Sequence, residues 1–138
     1  MRMMLAMILQ FLLVHAAPTG FADQHFSELL DKNPKGLVYV WTPHMEESAK
    51  EVAALAQAQL GYPVTVLVDP QAEPRVLAEV AQKYKLPAEY LRPALARQLY
   101  DGERQFPVTV FYLHRKVRLR IPGLQGPELK ETAQLLLR

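Results

Sequence analysis

Apolar residues in this chain occur in two kinds of pattern, unbroken runs and runs spaced by helical turns, and the switches between them sketch a fold. Residues 3–14 are apolar except for Gln10. Residues 37–41, Leu-Val-Tyr-Val-Trp, are an unbroken run of β-formers, which predicts a strand covered on both faces. From Glu46 the period changes to that of a helix reaching residue 60. Val52, Leu55 and Ala56 fall on one face, acids occupy the first turn, and Gly61 stands just past the end. Residues 64–68 repeat the buried-strand pattern and close at Asp69-Pro70. Strand, long helix and strand in that order predict the βαβ unit of a parallel sheet.

The flanks complete the arrangement. Residues 23–30 put Phe26, Leu29 and Leu30 on one side of a short helix, and Asn33-Pro34-Lys35-Gly36 turns the chain. Residues 74–85 predict a second helix with Val76, Val80, Ala81 and Tyr84 inward and Glu79 paired with Lys83 one turn on. Residues 86–102 read as further helical material interrupted at Pro93. Phe106-Pro107 opens a third buried strand, 108–113, and His114-Arg115-Lys116 turns into a last strand, 117–121. There Val117, Leu119 and Ile121 are expected to face the core, while Lys116, Arg118 and Arg120 guard the outer side of an edge strand. Gly123, Gly126 and Pro127 lead into a closing helix with Leu129, Ala133 and Leu136 on one face. The prediction is an α/β fold: a central mixed sheet of about four strands with helices on both faces, built as βαβ unit, helical connection, β-hairpin and C-terminal helix.

Composition changes this picture in two places. With 138 residues, half of them apolar, the chain is long enough for one ordinary core. The apolar stretch 3–14, followed by small residues at Ala16, Ala17, Gly20 and Ala22, reads as a secretory signal peptide spanning 1–22. Cleavage is expected after Ala22, with Ala16 and Ala17 as near alternatives, leaving 23–138 as a single domain. Loss of Arg2 lowers the formal net charge from +2 to +1, and Met45 becomes the one remaining methionine. A near-neutral domain has no concentrated basic stripe, so nucleic acid is not an expected partner. The chain contains no cysteine. It therefore forms no disulfide and carries no lipid on a terminal cysteine, and a periplasmic or secreted domain without a membrane anchor after cleavage is expected.

Trp41-Thr42-Pro43-His44-Met45 sit where the first strand gives way to the long helix. This frame resembles the redox corner of the thioredoxin superfamily, in which a strand ends in an aromatic residue, then Cys-x-x-Cys, then a long helix. Pro43-His44 matches the middle pair of the Cys-Pro-His-Cys variant of bacterial disulfide oxidases. Phe106-Pro107-Val108-Thr109-Val110 is similar to the family segment that carries a cis-proline before its third core strand. The stretch 123–131 resembles the glycine and C-terminal helix that follow the family's hairpin. The resemblance runs from about residue 37 to the C-terminus and implies a thioredoxin-like fold. Both sulfur positions depart from it, with Thr42 at the first and Met45 at the second. Thiol–disulfide exchange needs one thiolate to attack and a second thiol to resolve. A hydroxyl and a thioether do neither, so no such activity is expected of the chain by itself.

Other chemistry at the corner is limited. Thr42 before Pro43 makes a good helix cap, its oxygen accepting an N–H from His44 or Met45 for about 1 kcal/mol and leaving the hydroxyl hydrogen free. His44 is expected to be exposed. Met45, standing for the buried second cysteine, is expected to pack beneath Trp41 and Pro107. In the family, the backbone of the residue before the cis-proline pairs with an extended substrate chain, a contact that needs no sulfur. The expectation is a redox-inactive exported binding or assembly module. It holds a periplasmic protein or peptide on a face made by Trp41, Thr42, Pro43, His44, Met45, Phe106 and Pro107, with no cofactor. Two other readings stay open. One is an enzyme with altered chemistry that holds a thiol cofactor such as glutathione at Thr42. The other is a copper chaperone using His44 and Met45, whose imidazole and thioether suit Cu(I). Adjacent residues at a helix start point about 100° apart, however, and His25 and His114 have no metal-site spacing.

Overall fold

The computed structural model describes residues 19–58, 60–100 and 105–137, and these form four strands and five α-helices. In chain order they are α1 (Asp23–Lys32), β1 (Gly36–Trp41), α2 (Glu46–Gln57), β2 (Val64–Val68), α3 (Pro74–Lys83), α4 (Arg97–Tyr100), β3 (Val108–Leu113), β4 (Lys116–Pro122) and α5 (Leu129–Leu136). Short 3₁₀ turns cover Ala88–Leu91 and Gly126–Glu128. The sheet order is β2-β1-β3-β4. β1 pairs parallel with β2 and antiparallel with β3, and β3 pairs antiparallel with β4. This mixed sheet with helices packed on it is the α/β arrangement that the pattern of runs predicts, and it is consistent with the thioredoxin-like fold that the resemblance implies.

β1 is the spine because every one of its residues is buried. Its period of two sends alternate side chains to two cores. Leu37, Tyr39 and Trp41 pack with Val52, Leu55, Val80 and Leu129 on the face covered by α2, α3 and α5. Val38 and Val40 pack with Phe26, Leu30 and Leu99 on the face covered by α1 and α4. Burying each such side chain contributes about 1.5–3 kcal/mol, which is why the unbroken runs become central strands. The hairpin between β3 and β4 turns on His114 and Arg115 at φ 55° and 65°, the left-handed pair whose twist matches the strands it joins.

Several boundaries differ from expectation. α2 ends at Gln57 and leaves Ala56 exposed, with Ser48, Ala49, Val52 and Leu55 inward. Glu79 pairs with Arg75, and Lys83 reaches Glu46 on α2 instead, at 2.9 Å. Of the connection 86–102, residues 101 and 102 lie outside the described residues; up to residue 100 it is helical only at Ala88–Leu91 and Arg97–Tyr100, and between them Pro93 is bridged to Val68 and Ala94 to Phe21. β4 does not alternate cleanly. Phe111 opposes Leu119 while Tyr112 opposes Val117, so Arg118 is an extra, bulged residue. Val117 therefore packs toward the α1 side and Ile121 toward the α2 side, and Leu119 is exposed, so the three do not face one core.

Phe21 belongs to the folded unit. Its N–H donates to Pro93 O at 2.8 Å, and its carbonyl accepts the N–H groups of Leu95 (2.9 Å) and Ala96 (2.8 Å). Its buried ring meets Phe26 edge-on at 6.2 Å. Cleavage after Ala22 would remove this side chain from the core, whereas cleavage after Ala16 or Ala17 would keep it. Those two cut positions and residues 1–18 of the expected signal peptide lie outside the described residues.

Candidate functional site

The parallel strands β1 and β2 end side by side, tied by the Asp69 N–H to Trp41 O at 2.7 Å. In an open α/β sheet, loops beyond the carboxyl ends of parallel strands are where ligands gather. β3 begins at this same edge, since Val40 pairs with Val108 and the antiparallel register carries Pro107 to the side of Trp41. The Phe106-Pro107 peptide bond is cis, as the resemblance implies. Pro107 O accepts the Gly123 N–H at 2.8 Å, which brings the loop after β4 to the same corner.

The structure divides the sequence-predicted residues into buried and exposed groups. Trp41 is 0 % exposed, its Nε1 donating to Tyr90 O at 2.9 Å, so it pins the corner from within and offers no surface. Pro43 and Pro107 are also buried, and Phe106 is half-buried with its ring against the α1-side core. Thr42 is buried as well. Its hydroxyl oxygen accepts the His44 N–H at 3.2 Å as expected, but this bond closes a turn and does not cap the helix, because α2 begins only at Glu46 with Met45 in the N-cap position and no side-chain cap. The hydroxyl hydrogen is not free, because Thr42 Oγ1 donates to Asp69 Oδ2 at 3.1 Å. Asp69 Oδ1 in turn accepts the Gln71 N–H at 2.8 Å. Ser48 closes the network, its hydroxyl accepting the Thr42 N–H at 3.1 Å and lying 2.8 Å from Thr42 O and 2.7 Å from Met45 O. The corner is thus a buried polar knot with its donors and acceptors paired.

His44 is exposed as expected, and its Nε2 accepts the Glu73 N–H at 3.3 Å. Met45 is 38 % exposed and does not pack beneath Trp41 and Pro107. It precedes α2 in an extended conformation, φ −126° and ψ 96°, and the inward positions of the first turn belong to Ser48 and Ala49. The backbone of Phe106 makes no hydrogen bond among the described residues. Next to Gly123, Leu124 is 45 % exposed. Met45 and Leu124 therefore give the corner an exposed apolar rim beside His44, over a rigid base.

Sequence reasoning missed Ser48, Asp69, Leu124 and a second network just behind the rim. Tyr39, wholly buried, donates its hydroxyl to Glu51 Oε1. Glu51 Oε2 accepts the N–H groups of Gln125 at 3.0 Å and Gly126 at 2.6 Å. One carboxylate on α2 thus ties down the loop that carries Leu124. Burial, with help from the Glu51 carboxylate, pushes the Tyr39 hydroxyl far above its ordinary pKa of 10. Burial also raises Tyr112, to about 12.

Among the described residues no group of three or more His, Cys, Asp or Glu side chains is placed to hold a metal ion. His25 Nδ1 accepts the Ala22 N–H at 3.0 Å, and His114 sits in the hairpin turn at the far end of the sheet. No helix among them is long and apolar enough to cross a membrane. In comparison with known proteins, the chain matches no family model and no curated sequence.

Proposed function

We propose that this chain is a thioredoxin-superfamily relative that has given up redox chemistry and works, after export, as a binding or assembly module. Its partner is an extended segment of a periplasmic protein or peptide. The observation that carries this reading is the pairing of a cysteine-free, fully hydrogen-bonded corner with an open rim: exposed Met45 and Leu124, exposed His44, and the unpaired backbone of Phe106 beside Pro107. Free backbone groups at a strand end accept an extended chain by β-augmentation, and apolar side chains around them supply contact area. Buried Trp41, Thr42 and Pro43 support this face from below rather than touching the partner. The alternative of a thiol cofactor at Thr42 is weakened by its hydroxyl, which already serves His44 and Asp69.

Site-specific photocrosslinking in cells tests the proposal. A crosslinker at position 44 should capture a discrete partner, while one at His114, exposed at the opposite end of β1, should not. Equal capture at both positions, or capture only at 114, would place the binding face elsewhere.

A further inference from the structure

A concavity lies behind the rim, between α2 and the start of α5, with Glu51 and Gly126 of the loop network in its lining. It encloses about 430 Å3, within the range of small-molecule sites. Its walls are apolar: Ala54, Leu55 and Ala58 from the α2 side, Leu60, and Pro127 with Leu129 across from them. Lys50 on α2 and Lys130 on α5 stand at its edge from the two opposing walls. Both are exposed, and neither has an ion-pair partner among the described residues. Of the nearby acids, Glu46 is held by Lys83 and also feels the charge of Lys50, one turn on. Glu51, the one carboxylate in the lining, accepts from Tyr39, Gln125 and Gly126. Among the lining residues, two ammonium groups against one carboxylate leave +1 (2 − 1).

An apolar slot with surplus positive charge at its mouth is complementary to one class of ligand, an aliphatic chain ending in a single anion. Lysine suits the role because its long apolar stem lies along the wall while the ammonium stays at the water boundary. We infer that the α2–α5 cavity binds a medium-chain aliphatic carboxylate, with the tail against Ala54, Leu55 and Leu129 and the head between Lys50 and Lys130. The site shares Glu51 and Gly126 with the network that holds the rim loop, but it does not rest on the proposed partner binding.

Titration of the whole protein with decanoate tests this, using decanol as the uncharged probe and acetate as the tailless one. Decanoate should bind saturably at one equivalent, with half-saturation below about 1 mM, and acetate should not bind in that range. Lys50→Gln combined with Lys130→Gln should weaken decanoate at least tenfold and leave decanol unchanged. Added salt should weaken decanoate alone, because exposed charges are screened. Ala54→Phe, made at an exposed position, should fill the slot and abolish both ligands without lowering the melting temperature. Absence of saturable binding would overturn the assignment. So would decanoate affinity that falls less than threefold in the lysine double variant, or binding that survives Ala54→Phe in a folded protein.

Discussion

Replacing Glu51 by glutamine keeps the shape of the side chain and removes one acceptor oxygen, which makes it a sharp probe of how the rim is held. In the native protein, Glu51 Oε1 receives the Tyr39 hydroxyl, and Oε2 receives the amides of Gln125 and Gly126. A glutamine has one oxygen for these donors; turned to the loop amides, its NH2 faces the Tyr39 hydroxyl, which can accept it but whose own proton then has no acceptor, and turned to Tyr39, its NH2 faces the two amides. Either the buried Tyr39 hydroxyl proton or both loop amides must lose their acceptor. A hydrogen bond to a charged group is worth about 1.5–3 kcal/mol net, and an orphaned buried donor costs about 1–3 kcal/mol. The expected destabilisation is about 2–4 kcal/mol, or about 8–16 °C in melting temperature for a domain of this size. Tyr39→Phe alone should cost about 1 kcal/mol, because the carboxylate keeps its two loop amides. Urea denaturation of the two single variants and the double variant gives the coupling energy, expected to exceed about 1 kcal/mol. A Glu51→Gln variant within about 0.5 kcal/mol of wild type would refute the latch.

Three further outcomes are expected. The unfolded chain loses its phenolic protons near pH 10 while buried Tyr39 and Tyr112 keep theirs, Tyr112 to about 12, so stability is full below pH 10 and falls above it. Between pH 10 and 12 each tyrosine should contribute a slope of about 1.4 kcal/mol per pH unit, and Tyr39→Phe should remove one such share; parallel slopes for variant and wild type would contradict this. Phe21→Ala should cost about 3–5 kcal/mol, and the intact mass of the exported protein should correspond to a cut after Ala16 or Ala17; a stable mature chain beginning at Asp23 would show that Phe21 is dispensable. Because the Met45 N–H bonds to Thr42 O at 3.2 Å, the two Cα atoms lie within about 7 Å, and Thr42→Cys with Met45→Cys should close a disulfide, seen as resistance to thiol alkylation until reduced.

The strands were legible because β1, β2 and β3 are largely buried, and residues that must be apolar on both faces leave unbroken runs. Pro127 opens a 3₁₀ turn and the closing helix begins at Leu129, whereas at Pro74, where punctuation is chemical, the helix start was legible. The β4 bulge was not, since one inserted residue leaves the alternation of Lys116 to Ile121 intact in sequence while turning Val117 to the other face. Contacts that build the site are distant in sequence. Thr42 and Asp69 are 27 positions apart, and Glu46 and Lys83 are 37, so no helical or strand period links them. One signal was available and went unused: a tyrosine within a strand buried on both faces needs a partner for its hydroxyl, and α2 offers Glu51 one strand-to-helix step away. Met45 misled because the family's second cysteine is buried there, whereas in this chain Ser48 and Ala49 hold the inward positions.

The central claim is that partners bind at the rim of the cysteine-free corner, and the most direct test compares two ways of charging an exposed leucine. Leu135 is the more exposed, at 72 %, against 45 % for Leu124. It lies on α5, whose neighbouring Gln134 and Leu137 border Lys35 at the opposite end of β1. Affinity for the partner captured at position 44 should be measured by titration against the folded Met45→Asp plus Leu124→Asp variant and against Leu135→Asp. The account predicts a loss of at least tenfold for the first, about 1.4 kcal/mol, and no change for the second. Loss with Leu135→Asp but not with the corner variant would contradict it.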